Sequence, residues 1–107
     1  MKNKETISKM LQIIEKIAIY CANMDYDRFT ATPMCLDACV FNLSQLGESV
    51  VKLDEDFISE HPQIPWRQMK GLRNKIVHDY DGVNPVLVWE IIQNDLPVLK
   101  EKLEKIM

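Results

Sequence analysis

The sequence predicts an all-α fold, an antiparallel bundle of four long helices with one possible short helix, and three observations predict it. Apolar residues fill 47% of the 107 positions and recur at the three-and-four spacing of a helix with one buried face, without strand-like alternation. There are only three glycines. The five prolines fall at segment boundaries apart from Pro97, as expected of a residue tolerated in the first turn of a helix but not in its middle. This length fits one domain, residues 1–107, with a single core that oligomerisation would help to stabilise.

The first helix is expected from Glu5 to Asn23, with Ile7, Leu11, Ile14, Ala18 and Cys21 on one stripe and Met10, Ile13, Ile17 and Tyr20 beside it. So broad an apolar face suits packing against two neighbours. Asp25 to Ala31 reads as a loop, and Thr32-Pro33 as an N-cap followed by a first-turn proline. The second helix, Pro33 to Leu53, carries Leu36, Val40, Leu43, Val50 and Leu53, and is interrupted by Gly47. A glycine there costs about 1 kcal/mol against alanine, so close approach of another backbone is its expected use, with a kink as the alternative. A short helix over 54–60 is stopped by His61-Pro62-Gln63-Ile64-Pro65. Pro65 opens a helix whose buried stripe is Trp66, Met69, Leu72 and Ile76, ending near Asp79 to Gly82, with Gly82 able to adopt a positive φ. The last helix begins at Asn84-Pro85, and Pro97 should bend or break it near Asn94 and Asp95.

The net charge is −3, unfavourable for a nucleic-acid binder as a whole, but its distribution is uneven. Asp54, Glu55, Asp56 and Glu60 form an acidic patch, whereas Arg67, Lys70, Arg73 and Lys75 are uninterrupted by any acid. That basic stretch suits a polyanion, although an ordinary solvated helix face would look the same. Cys21, Cys35 and Cys39 are an odd number without a CxxC pair, which argues for core thiols in a reducing compartment. Cys35 and Cys39 could share a helix face as ligands, but no His pair accompanies them, so neither a metal nor another cofactor is expected. With no signal peptide or membrane span visible, the expected location is cytoplasmic.

Chemistry concentrates in Arg73-Asn74-Lys75-Ile76-Val77-His78-Asp79-Tyr80. If the helix runs from 66 to 78, a step of about 100° per residue puts Asn74 and His78 one turn apart on one face, with Arg73 on the flank. Arginine holds phosphate through two parallel hydrogen bonds, and histidine exchanges a proton near neutrality. The alternative is plain helix capping, since both residues favour the negative end of a helix dipole.

The stretch from Ile64 to Tyr80, with Arg73-x-x-x-x-His78-x-Tyr80, resembles the signature of the HEPN superfamily in its HepT-like toxin group. Asn42 to Glu48 resembles that group's Gly-Glu segment, and Trp89-Glu-Ile-Ile with Asp95 to Leu99 resembles its final helix. The resemblance implies a homodimer with two motif helices facing one cleft, and a metal-independent endoribonuclease that is the toxin of a type VII-like toxin–antitoxin system. It also implies an MNT-type nucleotidyltransferase antitoxin that attaches AMP to the motif tyrosine, here Tyr80.

RNA brings its own nucleophile, the 2′-hydroxyl, so cleavage needs a base, a cation for the crowded phosphorane and an acid for the leaving oxygen. His78 is assigned as base or acid, Arg73 as the electrostatic clamp, and Asn74 as the residue that orients the imidazole or bonds the phosphate. Lys70 and Lys75 are positioned as phosphate contacts. Asp79 fits turn capping better than support of His78, and Tyr80 could merely close the bundle end. The rival reading is a non-catalytic helical module that docks a nucleotidyltransferase and holds nucleotide or RNA; a purely structural helical dimer is the third.

Overall fold

The computed structural model describes residues 2–78 and 82–107, with the backbone alone at His78. The helices are α1 (Lys2–Tyr20), α2 (Tyr26–Thr30), α3 (Pro33–Val51), α4 (Glu55–Glu60), α5 (Trp66–Lys70), α6 (Leu72–Ile76), α7 (Pro85–Glu90) and α8 (Leu96–Lys105). A π-helical turn over Ile91–Asp95 joins α7 to α8, and a two-residue ladder pairs β1 (Val77–His78) with β2 (Gly82–Val83). The fold is all-α apart from this hairpin.

The long α3 is the central rod, with α1 along one side and α5 and α6 along another. Its inward stripe, Cys39, Leu43, Leu46 and Val50, joins Ile7, Met10, Ile14 and Ile17 of α1 and Leu96, Leu99 and Leu103 of α8 in one continuous core. Asn3, at the start of α1, donates from Nδ2 to Asp54 Oδ2 at 3.1 Å and accepts from the Asp54 N–H at 3.2 Å. Since Asp54 follows the end of α3, the two rods run antiparallel.

Gly47 is buried in α3, and a Cβ built there would stand 2.6 Å from the carbonyl oxygen of Met69 in α5. The close approach expected from the sequence is therefore real, and α3 continues through the glycine without a break.

Three local features differ from the sequence-based expectations. Asp25 to Ala31 contains a helix: Asp25 caps α2 by accepting from the Arg28 N–H at 2.8 Å, and Phe29 is fully buried with its ring 4.9 Å from that of Trp89. A five-residue helix has too little periodicity to read, and tertiary burial of one aromatic stabilises it. Thr32 does not cap α3; its hydroxyl donates backwards to the Arg28 carbonyl at 2.7 Å and closes α2 instead. The first helix stops at Tyr20, three residues early, where a turn leads into Asn23 at φ 64°. The disturbance expected near Asn94 and Asp95 is met as the π-helical turn over Ile91–Asp95: Pro97 lacks an N–H, the turn before it widens, and the Leu96 N–H bonds five residues back to Ile91.

Candidate active site

The expected motif helix is two short helices and a strand. Residues 66–70 form α5, Gly71 makes a joint at φ −89° and ψ 3°, and residues 72–76 form α6. The Gly71 N–H still bonds to the Arg67 carbonyl at 3.2 Å, and the Lys75 N–H to Gly71 at 3.0 Å, so the joint bends the path while the turns stay connected. The predicted inner stripe holds, with Trp66, Met69, Leu72 and Ile76 all buried. Trp66 is further anchored by its indole N–H, which donates to the His61 carbonyl at 3.0 Å.

The helix ends at Ile76, before His78. Val77 is extended at φ −110° and ψ 121°, and Val77 and His78 pair with Val83 and Gly82 in the hairpin. The placement of Asn74 and His78 one turn apart on one helix face is therefore wrong. The physical reason lies in β-branched Val77, which favours extended backbone, and in Gly82, which pairs with His78 and takes a left-handed φ of 76° that only glycine adopts freely.

Arg73 and Asn74 are exposed on α6, as are Lys75 on α6 and Arg67 and Lys70 on α5. Among the described residues none of the four cations pairs with a carboxylate; the ion pairs present are Lys100 with Glu15 and Lys105 with Glu101. Lys75 lies on a different flank from its neighbours: it borders a groove of about 320 Å³ between α5, α6 and the final helix, lined chiefly by Met69, Leu72, Ile91, Val98 and Leu99. The His78 side chain, Asp79 and Tyr80 lie outside the described residues, so their assigned roles rest on the sequence.

Asn84 was not among the sequence's candidate residues, yet it holds the motif to the last helix. Its N–H donates to the carbonyl of Ile76, the end of α6, at 2.9 Å, while its side chain accepts from the Leu87 N–H at 3.2 Å and caps α7. Asn84→Ala should lower stability by about 1 kcal/mol through the lost cap, a fall in Tm of roughly 4–8 °C. Thermal denaturation followed by circular dichroism checks this.

Away from the motif, the three cysteines converge in the core. Cys21 and Cys39 lie with their sulfurs 3.6 Å apart, and the Cys35 thiol donates to the Tyr20 carbonyl at 3.5 Å. Hydrogen bonding with Cys39 lowers the Cys21 thiol to about 7 against the opposing effect of burial. The same bond, with burial, pushes Cys39 up, and burial pushes Cys35 up.

Comparison with known proteins shows the family. The family model described as Ribonuclease HepT-like matches residues 10–106, which takes in α3, the jointed helix and the final helix. The chain belongs to the HepT-like family. It is 34% identical over 98 residues to a Methanocaldococcus jannaschii protein named "Putative RNase", covering 92% of this chain and 81% of that one. A "Probable ribonuclease HepT" of Thermococcus cleftensis is 31% identical over 104 residues, covering 97% of this chain and 94% of that one. A Caldanaerobacter subterraneus "Putative RNase" is 30% identical over 101 residues, covering 94% and 90%. No solved structure gave a significant match. Membership in the HepT-like family agrees with the resemblance carried by Arg73, His78 and the Gly47-Glu48 segment. No helix among the described residues is long and apolar enough to cross a membrane.

Proposed function

We propose that this chain is the toxin of a HEPN/MNT toxin–antitoxin pair, a metal-independent endoribonuclease whose site is completed by a second copy. The observation that carries the reading is the presentation of Arg73 and Asn74. Both are exposed on a helix whose inner side, Leu72 and Ile76, is buried, and whose end runs directly into the strand bearing His78. A rigid, jointed support of this kind holds a cation and a carboxamide toward solvent at small entropic cost.

In the proposed reaction His78 of one copy removes the proton from the 2′-hydroxyl, whose oxygen attacks the adjacent phosphorus. Arg73 stabilises the additional negative charge on the phosphorane, and the second His78 gives a proton to the departing 5′-oxygen. A 2′,3′-cyclic phosphate and a free 5′-hydroxyl result. Asn74 bonds the phosphate or orients the imidazole, and Lys70 and Lys75 hold flanking phosphates. Dimerisation is supported by apolar side chains left facing solvent, including Met34 and Phe41 on α3 and Val98 on α8.

Neutralisation follows from the family resemblance: an MNT-type nucleotidyltransferase transfers AMP from ATP to the Tyr80 hydroxyl, releasing pyrophosphate. The added bulk and negative charge, two residues from His78, would repel RNA phosphate. The whole reading is tested with purified protein and RNA in EDTA, comparing the parent with His78→Ala and Arg73→Ala. Cleavage by the parent that is strongly slowed in both variants is expected, and equal cleavage by all three overturns it. Mass spectrometry after incubation with the partner enzyme and ATP should place one AMP on Tyr80; an unmodified tyrosine refutes the neutralisation step.

A further inference from the structure

We propose that Cys21, Cys35 and Cys39, with the Met24 thioether beside them, form a binding site for one thiophilic monovalent ion of the copper(I) type. The sulfurs of the three cysteines all lie within 4.8 Å of one another, and the Met24 Sδ is 3.8 Å from Cys35 Sγ. Metal–sulfur bonds of about 2.3 Å in a trigonal arrangement require sulfurs about 4.0 Å apart. The cluster spans that value, so an ion enters by replacing thiol protons with little movement of sulfur.

Sequence spacing and fold both contribute. Cys35 and Cys39 are one helical turn apart at the start of α3, and the antiparallel packing of α1 brings Cys21 against them from the turn that follows its last residue. Cys39 is fully buried, but Cys21 and Cys35 keep 7% and 8% exposure, which puts one edge of the cluster at the surface and gives an ion a way in.

The ligand types select the ion. Three thiols and a thioether are soft donors that suit copper(I). Structural zinc instead takes four ligands from cysteine, histidine and carboxylate, and the cluster brings together cysteines alone from that set. On binding, two S–H bonds break and three copper–sulfur bonds form, two to the resulting thiolates and one dative bond from the remaining neutral thiol. Two protons pass to solvent and no electron moves. The resulting centre carries a charge of −1 in the first turns of α3, a long helix whose dipole favours an anion at that end.

The test uses the full chain, reduced and kept free of oxygen, titrated with copper(I) held by a coloured chelator. One ion per chain should be withdrawn from the chelator, with about two protons released, and X-ray absorption at the copper edge should show sulfur neighbours only, at about 2.3 Å. Cys35→Ser, at the rim, should keep its fold by circular dichroism and bind about a hundredfold more weakly or worse. Cys39→Ser should behave alike if it folds; Met24→Leu should keep three sulfur neighbours and leave binding in place. No withdrawal by the parent, equal binding by Cys35→Ser, nitrogen or oxygen neighbours, or preferential retention of zinc(II) over copper(I) would each overturn the proposal.

Discussion

Arg73→Ala is expected to lower RNA cleavage by about 10²–10³-fold, the usual cost of removing one preorganised stabiliser of a developing negative charge. The expected change in stability is near zero, because the Arg73 side chain is exposed and no ion pair holds it among the described residues. That contrast separates a catalytic role from a structural one. Initial rates with a defined RNA and thermal melts on the same samples measure both. Arg73→Lys should recover only part of the activity, since an ammonium keeps the charge but loses the planar two-bond grip on phosphate. A variant that melts early and loses cleavage in proportion would instead make Arg73 a structural residue.

Gly47→Val should have the largest effect on stability. A first side-chain carbon at 2.6 Å from the Met69 carbonyl oxygen is far inside van der Waals contact, and the obstacle is helix backbone, which cannot swing aside as a side chain can. Removing a helical glycine gains at most about 1 kcal/mol, whereas overpacking a tight core site costs about 1–3 kcal/mol and sometimes more. Branching at Cβ puts the valine near or above the upper figure. The clash wins, and α3 and α5 must separate. Since α5 leads through Gly71 into the helix carrying Arg73 and Asn74, residual folded protein should also cleave RNA more slowly. Urea denaturation gives the stability loss, and Gly47→Ala should fall between parent and valine. An alanine variant as stable as the parent would show that the two helices can part at no cost.

These two residues mark how far the sequence reaches. Gly47 was legible as a point of close approach because glycine is expensive in a helix and needs a reason. The buried stripe of Trp66, Met69, Leu72 and Ile76 was legible because helical periodicity survives a joint of one residue. The end of the motif helix was not, since Ile76 and Val77 continue an apolar pattern that a helix and a strand share. Phe29 was similarly hidden: nothing local distinguishes a loop phenylalanine from one that packs on Trp89 across the fold.

Periodicity, proline placement and the order of residues from Arg73 to Tyr80 by themselves determined the helical class, the long rods and the family resemblance, because each is a property of neighbours along the chain. Tertiary structure alone decided which carbonyl Gly47 meets, where α6 gives way to the strand of His78, and that Cys21 joins Cys35 and Cys39. Those are contacts between distant segments. Local propensity sets only weak preferences of a fraction of a kcal/mol per residue, and burial across the core overrides them.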